Sequence, residues 1–169
     1  MMTLPARQKI LGLYAILSFA VLMGCAPNMN AQNAGAVAAF LALIFAYIME
    51  SKHDKDSLET HHAIFIIRTI WIWSTFLLIG LCGAGFIISR EGDMSAIDTL
   101  MAHINEGAVP DEGDMQATID SYLQTNYDLI FKTTIVWIAP AQIYAAYRTI
   151  RGAMRAYKGY RVQNLRAWF

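Results

Sequence analysis

Apolar residues run along this chain in long unbroken blocks, separated by short polar stretches. Alternation and narrow stripes are rare. Four blocks, about residues 10–26, 34–49, 63–88 and 129–147, predict four transmembrane helices. Two of them approach or exceed the ~20 residues that cross ~30 Å of hydrocarbon as helix. The second block is short. It spans if Asn33 and Glu50 sit at the two interfaces or if the bilayer thins locally. A re-entrant hairpin of the first two blocks is the competing reading.

Charge orients the blocks. Arg7 and Lys9 precede the first, and Pro27–Asn33 between the first and second is uncharged. Lys52 and Lys55 follow the second, with Arg68 just inside the third. One cation, Arg90, stands against nine acids from Glu91 to Asp128. Arg148, Arg151, Arg155, Lys158, Arg161 and Arg166 follow the fourth. By the positive-inside rule both termini are cytoplasmic and residues 89–126 face outward. The expected fold is an all-α integral membrane protein of one domain, residues 1–169. It has four transmembrane helices, a helical acidic outer loop and a basic interfacial C-terminal helix.

Composition agrees. The 169 residues are 56% hydrophobic with mean hydropathy +0.37, and the formal net charge of zero hides a basic tail and an acidic loop. So few cations on a membrane-tethered tail do not predict nucleic-acid binding. Cys25 and Cys82 read as buried free thiols. Leu22-Met23-Gly24-Cys25 also resembles a lipobox, and cleavage before Cys25 would leave a lipidated, three-span protein. A further apolar block follows within nine residues, so Gly24 and Cys25 read instead as the end of a first helix, with the amino terminus retained.

Within the blocks, small residues mark packing seams. Ala34, Ala38, Ala42 and Ala46 recur every fourth position, and Gly80, Gly83 and Gly85 lie in the outer half of the third helix. Asp56 is placed to cap that helix, with Glu59 three residues on. Arg68 snorkels or pairs with an acid such as Glu50. Pro140 predicts a kink, and the intramembrane Gln142 needs a partner on another helix. Arg148, Arg151, Arg155 and Lys158 share one helical face, which reads as a lipid-surface stripe for anionic headgroups. Ile150, Met154 and Tyr157 lie on another.

The outer segment predicts two helices separated by Pro110, each opened by the word Glu-Gly-Asp-Met. Their apolar faces, Met94–Ile97–Met101–Ile104 and Met115–Ile119–Tyr122–Leu123, need cover from each other, the membrane surface or a partner. An isolated hairpin is marginal on backbone entropy, so the loop is expected to be mobile alone.

Chemistry is sparse. There is no phosphate-binding glycine loop, paired CxxC or HExxH. Glu59-Thr60-His61-His62 holds one half of a di-iron motif, whereas such sites need two; capping and interfacial hydrogen bonds are the expected roles. No catalytic, cofactor or metal residues are predicted.

Ala46-Tyr47-Ile48, then His62, Ile67-Arg68-Thr69 and Trp71, and later Tyr147-Arg148, Arg151-Gly152 and Gly159 resemble a family of small bacterial inner-membrane proteins of unknown function. The family includes magnetosome membrane proteins and is distantly likened to a plastid protein-import subunit. The resemblance covers about half of the chain. It implies a structural signature of His62, Arg68, Thr69, Trp71, Tyr147, Arg148, Arg151 and Gly152, and no catalytic residues. Ile64 and Ile66 stand where members often carry Arg and Gln, and the long acidic loop replaces a short connection. The expectation is a non-enzymatic accessory or scaffolding subunit with a membrane-protein partner or a second copy. A small channel or translocation component is the alternative, and a membrane-bound enzyme the third.

Overall fold

The computed structural model describes residues 4–162. Arg166 and the amino-terminal Met1 and Met2 lie outside the described residues. Among those described, every regular element is helical: α1 Leu4–Gly24, α2 Met29–Lys52, α3 Leu58–Glu91, α4 Ser95–Asn105, α5 Glu112–Thr125 and α6 Tyr127–Tyr157. α1, α2, α3 and α6 are long and apolar enough to cross a membrane. The protein is an all-α, four-span membrane protein.

The helices outrun the apolar blocks. The second block becomes a helix of 24 residues, about 36 Å at ~1.5 Å per residue, which is enough to span without thinning. Its polar first turn is helical because the Asn28 side chain accepts from the Ala31 amide at 3.1 Å. The connection from α1 therefore shrinks to the few residues before Met29. At α3 the expected Asp56 cap gives way to Ser57, whose Oγ accepts from the Thr60 amide at 3.1 Å. A hydroxyl immediately before Leu58 fits the cap position better than a carboxylate one residue further out. α6 runs through Pro140 to Tyr157 as one helix. The basic stretch is thus its continuation and not a separate interfacial helix.

The chain divides into two compact units. Of the described residues, the first takes those up to Leu77 and those from Pro140 to Val162. Its core is Ile10, Leu13 and Leu17 of α1, Ala38, Ala42 and Ala46 of α2, Ala63, Ile66 and Ile70 of α3, and Ala141, Ala145 and Ala156 of α6. Phe40, Phe45, Leu22 and Ile143 remain exposed, as lipid-facing side chains of spanning helices do. The small-residue seam of α2 is real but shifted at its outer end. Ala34 is exposed and Gly35 is buried. A Cβ on Gly35 would stand 3.0 Å from the Ala20 carbonyl of α1, so glycine lets the two backbones approach closely there.

The second unit is Leu78–Ala139. In it α3 and α6 meet at Gly80 and Gly83, where an added Cβ would strike the Trp137 carbonyl and indole. Gly85 has open space around it. α4 and α5 pack as a hairpin. Asp111 caps α5 in a reciprocal box with Asp114, at 2.8 and 3.2 Å. The two Glu-Gly-Asp-Met words therefore differ in register. The first ends α3 and leads into α4, whereas the second lies inside the first turn of α5.

Candidate functional site

The first unit gathers polar side chains from α1, α3 and α6 around two contacts. His62 is fully buried. Its Nε2 faces the Tyr160 carbonyl at 3.1 Å and its Nδ1 faces the Tyr14 hydroxyl at 2.9 Å. A carbonyl only accepts, so Nε2 carries the proton of the neutral ring and Tyr14 donates to Nδ1. The two rings meet edge to face, with centroids 5.7 Å apart. His61 Nδ1 reaches the Val162 carbonyl at 3.2 Å. Adjacent histidines at the start of α3 thus hold two carbonyls of one segment.

That segment returns because of Gly159. Its φ of 71° is left-handed. The Gly159 amide bonds to the Ala156 carbonyl at 3.1 Å and the Tyr160 amide to the Arg155 carbonyl at 2.9 Å, the paired bonds of a Schellman cap. The cap reverses the chain and brings the Tyr160 carbonyl onto His62. Gly152 supports the same contact, since a Cβ there would strike the Tyr14 ring and hydroxyl.

The second contact centres on Arg148, which is 1% exposed. Its Nε donates to Thr69 Oγ1 at 3.0 Å, and its guanidinium lies 4.1 Å from the Phe65 ring centroid and 5.7 Å from that of Tyr144. Thr69 donates in turn to the Phe65 carbonyl at 2.7 Å. Arg148 is therefore not a lipid-surface cation. It stands on the ridge of Ala141, Ala145, Gly152 and Ala156 that α6 turns inward, and this ridge overlaps the expected basic stripe. Arg151 and Arg155 are half-buried, and Lys158 is exposed just beyond the helix. Arg151 donates to the Tyr147 hydroxyl at 3.2 Å. Arg7 lies 4.2 Å from the Tyr157 ring centroid.

No family model, curated protein or solved structure matches this chain.

The residues picked out by the resemblance divide in two. His62, Thr69, Arg148 and Gly152 converge inside the first unit, with Arg68 half-buried beside Thr69. Trp71 and Tyr147 face outward. Trp71 Nε1 donates to the Tyr47 hydroxyl of α2 at 3.2 Å. Gln142 finds the interhelical partner expected of it, the Gly24 carbonyl at 3.4 Å. That carbonyl ends α1 and has no intrahelical donor. Cys25 and Cys82 are free but exposed rather than buried, because Cys25 sits in the turn after α1 and Cys82 on an outward face of α3. Lys132 pairs with Asp128 at 3.7 Å on an exposed surface.

In the second unit, buried Asn126 ties the hairpin base. Its Oδ1 accepts from the Asp93 amide at 2.7 Å and its Nδ2 donates to the Asp93 carbonyl at 3.0 Å. Asp93 Oδ1 accepts from the Ser95 amide at 2.9 Å, and this bond holds the Asp93 carboxyl below its ordinary pKa. Of the covers open to the apolar faces of α4 and α5, the two helices do not supply one to each other. A cleft of about 310 Å³ between the helices is lined by Ala96, Thr99, Leu100 and His103 against Ala117 and Thr118. Ile97, Met101, Ile104, Met115, Ile119 and Leu123 are all exposed.

Tyr14, Gly35 and Asn126 were missed by sequence reasoning. A single tyrosine in a first block whose other hydroxyl is Ser18 was the available signal for Tyr14, since a buried hydroxyl needs a partner.

Proposed function

We propose that this chain is a non-enzymatic accessory or scaffolding subunit of a bacterial inner-membrane complex. The carrying observation is the set of six large apolar side chains left exposed on α4 and α5, outside the spanning helices. Contiguous apolar surface of this kind marks interaction sites. Kinship with the small inner-membrane family that the chain resembles belongs to the same proposal. Supporting it, Thr69 and Arg148 contact directly and Gly159 positions the carbonyl on His62, so these residues have structural employment. The charge pattern supports cytoplasmic termini, with α4 and α5 outside. Arg155, Lys158 and Arg161 then meet anionic lipid at the inner surface, each contributing roughly 1 kcal/mol.

Native electrophoresis of mild-detergent extracts at natural expression level tests the reading. A discrete assembly containing another membrane protein is expected. A lone 18.9 kDa chain in its detergent belt would overturn it.

A further inference from the structure

The exposed side chains of α4 and α5 form one face and not two. Ala96, Leu100 and His103 line the cleft from α4, and Asp114 and Thr118 line it from α5. Ile97, Met101 and Ile104 each follow an inward residue by one position, and so do Met115 and Ile119. One position is a rotation of about 100°. In a hairpin the helices run in opposite directions, and equal rotations along each chain bring side chains out on the same side of the pair. Met101 and Ile119 are each about half exposed, at 50% and 51%.

The rim of this face is acidic. Asp98 and Asp120 each follow an apolar member by one further position, and Glu112 precedes the face on α5. From Glu91 to Asp128 the chain has nine acids and neither Lys nor Arg. A second copy docked face to face would set acid rim on acid rim with no cation to offset it. An anionic lipid surface would be repelled in the same way. A complementary surface has to bring its own cations.

We propose that this face docks a different membrane protein whose matching surface is apolar at its centre and rimmed by lysine or arginine. The inference rests on the accessory-subunit reading and names the chemistry of its partner. The apolar centre supplies affinity by leaving water. The charged rim sets encounter rate, register and salt dependence.

The full-length chain, carrying the photo-cross-linker p-benzoylphenylalanine in place of Met101 or Ile119, is irradiated in native membranes. An adduct to one other protein through a Lys- or Arg-bearing peptide is expected. Asp98→Asn with Asp120→Asn should lower its yield about tenfold, as should ~1 M salt on the chain with its acids intact. An adduct of twice the chain's own mass, an adduct to lipid alone, or a protein adduct insensitive to both treatments overturns the proposal. If native gels still show the assembly without an adduct, this face is wrong and the accessory reading stands. If assembly and adduct are both absent, both fail.

Discussion

Gly152 and Gly159 serve one contact in different ways, and substituting each with alanine separates them. Gly159 holds a left-handed turn, so Gly159→Ala meets a backbone penalty of about 1–2 kcal/mol. Gly152 leaves room for Tyr14, so Gly152→Ala overpacks a closed site at a cost of about 1–3 kcal/mol. Both variants should melt earlier in detergent. Tyr14→Phe added to Gly152→Ala should relieve part of its cost, because it removes the struck hydroxyl, and should leave the Gly159→Ala cost unchanged. Differential scanning calorimetry of these variants checks the pattern. The demand of Gln142 for a partner was legible in the sequence. The burial of Arg148 was not. Its spacing with Arg151 and Arg155 matches a surface stripe, and the small-residue ridge at four-residue intervals shares the same face.

At the scale of elements, α4 and α5 contain no buried residue. Their amides have little apolar cover, so they should exchange with solvent much faster than those of α1 in the purified chain, and slow when the assembly forms. Asn126 is the exception at the hairpin base. Asn126→Ala removes two hydrogen bonds to Asp93 and should cost roughly 1–3 kcal/mol locally; exchange at Gly92–Ser95 should rise more than elsewhere. The Asp93 carboxylate adds a pH dependence. Its pKa is depressed in the folded chain, so its hold on the Ser95 amide is present above the ordinary value of 3.8 and is lost as pH falls through the depressed value. The Ser95 amide resonance should follow that titration. Both helices were legible from apolar spacing and Pro110. Their facing sides were not, because the cleft is lined by residues such as Ala96, Ala117 and Thr118 that the apolar spacing does not pick out.

For the whole molecule, the proposed topology, drawn from the charge pattern, has residues 89–126 and the two termini on opposite sides of the bilayer. An impermeant thiol reagent added from outside should label Asp111→Cys and spare Lys158→Cys in a Cys25→Ser, Cys82→Ser background; the reverse would invert the topology. Four spans were legible as four apolar blocks, although the second was short of the length that hydrocarbon imposes on a spanning helix. Their ends were not, since helices continue past the apolar block wherever a cap such as Asn28 or Ser57 is supplied. The tie between His62 and Tyr160 has a consequence for biosynthesis. A ribosome delivers Tyr14 and His62 long before residue 160, and until then the Nε2–H of His62 lacks the carbonyl that satisfies it. The first three spans must therefore wait in the membrane with an incomplete polar centre. The arrival of Tyr160 closes it, so the stretch of synthesis that delivers that residue doubles as the step that completes this polar centre.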